Sequence, residues 1–169
     1  MNRLSLVVFL TGVLSMAAIA QEHEHMAPLK VSLQFDEMKK LVGKWEGNAF
    51  GHTITTEFRL TGGGSAIMEV MAYGQPEEMV TMYHMDGDRF LATHYCAAHN
   101  QPRMAAVASS SANTVEFKYV DGTNIEPGTV RMEDVKLTML DADHHKELWT
   151  STEDGKAGGS IEFDYHRVK

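Results

Sequence analysis

The sequence predicts an all-β protein, an antiparallel up-and-down β-barrel of about ten strands preceded by one short N-terminal helix. From Gly43 onward, apolar and polar residues alternate in short runs, which is the period of a half-buried strand. Turns of hairpin length separate nearly all of these runs, which favours pairing of each strand with the next in the chain. A long meander exposes two edge strands, and closing the sheet into a barrel removes both.

The first segment, Met1–Ala20, reads as a secretory signal peptide. It carries one positive charge at Arg3, an apolar run over Leu4–Leu14 and the small-x-small triplet Ala18-Ile19-Ala20. The apolar run is too short for a transmembrane helix, so no stable membrane insertion is expected. We predict cleavage after Ala20 and an exported product, periplasmic or extracellular.

Residues 21–33 are predicted to form a flexible N-terminus, and residues 34–169 a single domain. The N-terminal segment contains His23 and His25, whose imidazoles suit a transition metal, although a disordered tail explains so polar a run equally simply. The remaining length fits one domain with a sizeable core and shows no internal repeat.

Charge and cysteine content exclude several classes of function. The chain has 15 basic and 23 acidic residues, a net charge of −8, which argues against nucleic acid and anionic membrane surfaces as partners. Its single cysteine, Cys96, has no partner for an internal disulfide, and burial as a small apolar residue is its simplest role.

One helix is expected before the strands begin. In Gln34–Leu41 the apolar residues Phe35, Met38 and Leu41 recur at helical spacing, and Gly43 then ends the helix.

The strands follow in chain order, and the Asp86-Gly87-Asp88 turn gives the strongest hairpin signal. We expect strands at Lys44–Phe50, His52–Leu60, Ser65–Tyr73, Glu78–Met85, Arg89–Cys96, Pro102–Ser109, Thr114–Val120, Asp134–Leu140, His144–Thr152 and Ser160–Val168. A barrel of about ten strands is too wide for side chains to fill completely, so an internal cavity is predicted.

The segment Leu41–Gly47, with Gly43-Lys44-Trp45 at the start of the first strand, resembles the calycin superfamily of lipocalins, fatty-acid-binding proteins and nitrobindin-like haem barrels. It looks most like uncharacterised exported bacterial lipocalin-like proteins. The resemblance implies that Trp45 closes one barrel end and that a basic residue of the last strand packs across its ring. Arg167 matches that role, and a guanidinium over an indole gains roughly 0.5–2 kcal/mol.

The resemblance also raises haem as an alternative, because nitrobindin-like proteins hold haem through one histidine late in the barrel. His144, His145 and His166 are late in this chain, but none of them matches the motif. His166 shares a strand face with Glu162 and Asp164 that is predicted to be solvated.

A second alternative is a transition-metal site. His94 and Cys96 point to one strand face together with the apolar Phe90 and Ala92, and His99 follows just beyond the strand. One thiolate and two imidazoles suit zinc or copper, although the spacing is not a standard zinc pattern. A hydrogen-bonded interior His94 and a core Cys96 are the simpler interpretation of the pattern. A Cys–His nucleophile would need an oxyanion-hole motif, so the sequence favours no enzyme and no catalytic residue is assigned.

Other residues are predicted to line a ligand cavity. Tyr83 and His84 lie on opposite faces of their strand, and periodicity does not decide which one faces inward. Arg103 would grip a ligand carboxylate if it pointed inward, whereas an outward Arg103 would pair with one of the many acidic residues. Flexible methionines suit a cavity that adapts to apolar ligands: Met68, Met79 and Met85.

Glu69 shares a strand face with Ile67 and Met71, which makes it a candidate interior carboxylate. Carboxylates are rarely buried, so we expect Glu69 to be exposed.

Taken together, these features predict an exported protein that binds a small, mostly apolar molecule inside a β-barrel, with Tyr83, His94, Cys96, Arg103 and the methionines around the cavity. A haem or metal barrel and a structural or interaction barrel without a ligand are the alternatives.

Overall fold

The computed structural model describes residues 31–49, 51–109 and 111–169, which form a closed ten-stranded antiparallel barrel. Each strand pairs with the next in the chain, and the first strand pairs with the last. This confirms the predicted all-β fold, its strand number and its up-and-down order. The predicted signal peptide and the pair His23 and His25 lie outside the described residues.

The helix α1 spans Val31–Met38, starting three residues before the predicted start, and a 3₁₀ turn at Lys39–Leu41 follows it. The strands are β1 Gly43–Ala49, β2 His52–Thr61, β3 Ala66–Met71, β4 Met79–Asp86, β5 Arg89–Tyr95, β6 Gln101–Val107, β7 Thr114–Thr123, β8 Val130–Asp141, β9 His144–Glu153 and β10 Lys156–Arg167. In the described part of the chain, no helix is long and apolar enough to cross a membrane.

The two ends of the barrel are built differently. We call the end where α1 leads into β1 the closed end, and the opposite end, with the turns after β1, β3, β5, β7 and β9, the mouth. Helix α1 lies across the closed end, where Phe35 packs edge-on against Phe90 with ring centroids 5.3 Å apart. Gln34 Nε2 also donates a hydrogen bond to the carbonyl of Val107.

Aromatic side chains fill the interior of the closed half. The ring centroids of Phe90 and Phe117 lie 4.9 Å apart, and those of Tyr83 and Phe117 lie 5.4 Å apart. All three residues are fully buried. Because rings of this size occupy the width of the barrel, the predicted space for a ligand is confined to the mouth.

Candidate functional site

A cleft of about 610 Å³ opens at the mouth of the barrel. Its wall is apolar and its rim is polar. The apolar residues are Ile54, Met71, Ala72, Met79, Ile161 and Phe163, and the polar ones are His52, Thr53, Gln75 and Glu77. Ligand sites in proteins typically have volumes of about 300–1,000 Å³ and walls of this mixed but mostly apolar character.

The loop between β3 and β4 forms one side of the cleft and is held by hydrogen bonds. The amide of Ala72 donates to the carbonyl of Thr55 at 2.8 Å, and the amide of Gly74 donates to Glu78 Oε2 at 2.7 Å. Ala72 has φ of 55° and Gly74 has φ of 74°, so the chain turns sharply here. These contacts fix the loop, so that side of the cleft is formed without a ligand.

A layer of buried polar groups lies directly beneath the apolar wall. Side chains two residues apart on a strand share a face. The residue two positions further along each strand, away from the mouth, therefore lies beneath each wall residue. Ile54 is followed inward by Thr56, Met71 by Glu69, Met79 by Thr81 and Phe163 by Tyr165. All four inner residues are buried. We call them, with Tyr83, His94, His145 and Glu147, the polar layer.

Glu69 and Glu147 form the centre of the polar layer. Tyr83 Oη donates a hydrogen bond to Glu69 Oε2 at 2.6 Å, and Thr56 donates to Glu69 Oε1 at 3.2 Å. Trp149 Nε1 donates to Glu147 Oε2 at 3.0 Å. The charge of Glu147 opposes ionisation of Glu69, so the protonation of one carboxyl group depends on the other.

Burial controls protonation throughout this layer. It raises the pKa of Glu147 to about 7, and together with the charge of Glu147 it raises the pKa of Glu69 well above the usual range. Burial lowers the pKa values of His94 and His145 to about 4. At neutral pH both imidazoles are therefore uncharged, and the carboxyl pair retains a proton.

Three polar atoms of the layer have no hydrogen-bond partner among the described residues: His94 Nε2, His145 Nδ1 and Tyr165 Oη. A buried polar atom without a partner costs roughly 1–3 kcal/mol, so such atoms are uncommon in a purely structural core. These three atoms offer hydrogen-bonding capacity that the other described residues do not use.

The structure places some predicted site residues inside the barrel. Tyr83 faces inward and His84 lies on the outer side, which settles the alternative that periodicity left open. His94 is buried, with Nδ1 2.9 Å from Thr81 Oγ1 and its ring 4.7 Å from that of Trp149.

Other predicted site residues lie elsewhere. Arg103 is on the outer surface, where its Nε donates to Asp121 Oδ1 at 2.7 Å. Cys96 is half-buried just beyond β5, and His99 is exposed in the following turn with φ of 63°. With His94 in the interior and His99 at the surface, the predicted set of His94, Cys96 and His99 is not brought together.

The three methionines predicted to line the cavity lie in different parts of the barrel. Met79 lines the mouth cleft, Met85 packs against the core near the closed end, and Met68 is half-buried on the strand face opposite Ile67 and Glu69. Only Met79 therefore contacts the candidate site.

The expectation that Glu69 is exposed is wrong, because Tyr83 and Thr56 supply the hydrogen bonds that make its burial possible. Sequence reasoning also missed Glu147 and Tyr165. The alternation of side chains along the strands could have identified both as interior residues, because Glu147 shares a strand face with Trp149 and Tyr165 shares one with Phe163.

Trp45 and Arg167 meet at the closed end in the way that the resemblance implies. The guanidinium carbon of Arg167 lies 4.0 Å from the centre of the Trp45 ring. Arg167 donates hydrogen bonds to the carbonyls of Lys40, Val42 and Ala142, each at 2.9 Å. A Cβ at Gly43 would lie 2.7 Å from Arg167 Nη1, so only glycine leaves room for this arrangement.

The geometry of the site gives little support to haem binding, which the resemblance implies as an alternative. His144 and His166 lie on the outer face, and His145 packs edge-on against Trp45 with ring centroids 4.4 Å apart. His94 is covered by Trp149, and His52 on the rim is the histidine that lines the cleft in the described part of the chain. No residue of the cleft is therefore assigned to haem.

Comparison with known proteins gives the fold and no more. No protein-family profile and no curated protein match the chain. A solved protein of unknown function from the DUF3598 family of Nostoc punctiforme is 12% identical over 78% of this chain, with a TM-score of 0.52; this chain spans about half of it, 48%. The solved structure of Rv2717c from M. tuberculosis is 11% identical, with a TM-score of 0.53, over 80% of this chain and 97% of that one. Both similarities support the barrel architecture.

Proposed function

We propose that this protein is an exported, calycin-like binding protein for a small, mostly apolar molecule that carries one uncharged hydrogen-bonding group. The observation that carries the proposal is the apolar cleft at the mouth, which lies directly above the polar layer. The signal-peptide pattern of Met1–Ala20 supports export.

The wall of the cleft provides the affinity. Apolar surface removed from water contributes roughly 25 cal/mol per Å², so a ligand that covers Ile54, Ile161 and Phe163 gains mainly hydrophobic free energy. Met71 and Met79 are flexible and polarisable, which lets the wall adapt to the shape of the ligand.

The polar layer selects the head group. Among the described residues, no lysine or arginine is fully buried, whereas Glu69 and Glu147 both are. A ligand carboxylate would therefore enter a region with acidic groups and no cation to neutralise it, and this costs free energy. The Tyr165 hydroxyl, one step deeper than the wall residue Phe163 and without a partner among the described residues, instead suits an alcohol, ketone or amide.

Native mass spectrometry of the protein purified from an exported fraction tests this proposal. We expect added mass that is lost on denaturation, and a released molecule that is apolar and uncharged. The variant Met79→Glu places a charge in the cleft wall and should abolish the added mass. Met68→Glu, a matched change on the outer strand face, should leave it in place.

A bare chain that takes up neither decanol nor decanoate would contradict the proposal. Retention of the ligand by Met79→Glu would place the binding site elsewhere in the molecule. An absorption spectrum of the same sample checks the haem alternative, since a Soret band would overturn the choice of an uncharged apolar ligand.

A further inference from the structure

Two histidines and an aspartate meet on the outer surface of the barrel, on the side away from the mouth cleft and the polar layer. The ligand-type atoms of His144, Asp164 and His166 all lie within 4.8 Å of one another. Asp164 Oδ1 is 2.5 Å from His144 Nε2 and 3.7 Å from His166 Nε2. In the described part of the chain, no other group of three such side chains comes this close.

The register of β9 and β10 brings these side chains together. His144 lies directly opposite His166 in the antiparallel pair, and Asp164 precedes His166 by two residues on the same outer face. The two imidazole rings are stacked, with centroids 4.3 Å apart and planes 20° from parallel. The pairing of β9 with β10 is regular from Ser160 to His166, so the sheet holds these positions rigidly.

Lys146 orients the aspartate. Its Nζ lies 3.3 Å from Asp164 Oδ2 and 2.9 Å from Glu162 Oε1, so it contacts the carboxylate on the side away from the histidines. Lys146 therefore leaves Asp164 Oδ1 directed to both imidazoles.

A second carboxylate lies on the neighbouring strand. Glu46 of β1 is directly opposite His166 and is exposed on the same outer face. Glu46, His166 and His144 thus form one row across three adjacent strands.

From this arrangement we propose that the outer face of β9 and β10 binds one divalent transition-metal ion. The ligands are His144, Asp164 and His166, and Glu46 or a water molecule completes the coordination. Two imidazoles and a carboxylate suit borderline ions, so zinc, nickel and copper bind here in preference to calcium or magnesium. The site is separate from the predicted set of His94, Cys96 and His99, and it is independent of the ligand proposed for the mouth.

Isothermal titration of the mature protein with Zn²⁺ tests the site, with competition by a chromophoric chelator to measure the affinity. We expect His144→Ala and His166→Ala each to weaken the binding of one Zn²⁺ equivalent at least tenfold. Asp164→Asn keeps the shape of the side chain and removes its charge, so it should weaken binding without unfolding the barrel. Near-ultraviolet circular dichroism checks the fold of each variant.

Two matched controls separate this site from other histidines. His84→Ala removes an imidazole from another outer strand face, and a double change of His23 and His25 to Ala removes the N-terminal pair. Both controls should retain the Zn²⁺ equivalent. Unchanged Zn²⁺ binding in Asp164→Asn and His166→Ala, or loss of the equivalent in the N-terminal double variant, would overturn the proposal.

Discussion

The two ends of the barrel use their polar groups differently, although one buried atom at the closed end, Gln34 Oε1, also has no partner among the described residues. At the closed end, Trp45 Nε1 donates to the carbonyl of Leu41 at 2.7 Å, and Arg167 donates to three backbone carbonyls. Towards the mouth, His94 Nε2 and Tyr165 Oη have no partner among the described residues. One end is arranged for stability, and the other keeps hydrogen-bonding capacity beneath an apolar cleft.

A cleft also exists at the closed end, and its lining shows why the mouth is the better ligand site. It has a volume of about 480 Å³, and its lining combines the apolar residues Leu41, Trp45, Met139 and Ala142 with the charged residues Glu37, Lys40, Asp141 and Arg167. Four charged side chains around a cleft favour water over an apolar molecule. Volume alone therefore does not distinguish the two ends, whereas the chemistry of the walls does.

The largest expected effect is at the closed end. Trp45→Ala removes a fully packed indole and the surface on which Arg167 lies, so it should lower the free energy of unfolding by about 3–5 kcal/mol. Urea denaturation measures this loss. A loss below about 1 kcal/mol would show that the closed end is not the stabilising end.

The next effect concerns the polar layer and depends on pH. Folded Glu147 keeps its proton up to about pH 7, whereas the unfolded chain loses it near the ordinary glutamate pKa of 4.5. Between pH 4.5 and pH 7 the unfolded state therefore binds fewer protons than the folded state. The stability that Glu147 contributes to the wild type is lost as the pH rises through this range. Glu147→Gln does not titrate, and it should gain about 2–3 kcal/mol relative to wild type between pH 5 and pH 8.

Urea titrations of both proteins across this pH range measure the difference. His94 and His145, whose pKa values are lowered, impose the opposite trend on both proteins. The contribution of His94 largely cancels, whereas that of His145 changes with the substitution because its Nε2 lies 3.1 Å from Glu147 Oε1. Loss of the Glu147 charge also makes Glu69 easier to ionise in the folded state. This further raises the stability of Glu147→Gln relative to wild type as the pH rises. A flat difference for Glu147→Gln would contradict burial of the carboxyl pair.

The smallest expected effect on stability is at the mouth. Ile161 contributes to the cleft wall and is only half-buried, so Ile161→Ala should cost only about 1–2 kcal/mol. The same change should weaken uptake of a neutral apolar fluorophore at least fivefold. Fluorescence titration and urea denaturation of one sample measure both effects. A large loss of stability with unchanged uptake would show that the mouth stabilises the fold and does not bind the ligand.

Alternation along the strands predicted the barrel and much of its inner face. Phe117, Val135 and Leu137 are buried as their spacing indicates, and the Asp-Gly turn joins β4 to β5 as expected. Each of these predictions depends only on neighbours within one or two strands. The period of two is a local property, so one sequence is sufficient to read it.

The candidate site was predicted only in part, because it depends on partners that are distant in sequence. Glu69 is buried because Tyr83, 14 residues away, donates a hydrogen bond to it, and no local pattern shows that pairing. Arg103 is outside because Asp121, 18 residues away, lies opposite it across the β6–β7 pair. Alternation predicts whether a side chain faces the interior or the solvent. The hydrogen-bond partner that makes burial of a polar side chain possible comes from another strand, and it is known only once the barrel has closed.

The measurement that tests the account most directly is nuclear magnetic resonance of methionine-methyl-labelled protein titrated with decanol and, in parallel, with decanoate. The methionines report on both ends, since Met71 and Met79 line the mouth cleft and Met38 and Met104 are buried in the core. The account predicts saturable shifts of the Met71 and Met79 methyl signals with decanol, weaker shifts with decanoate, and little change at Met38 and Met104. Shifts confined to Met38 and Met104, or tighter binding of decanoate, would contradict a mouth site for an uncharged apolar ligand.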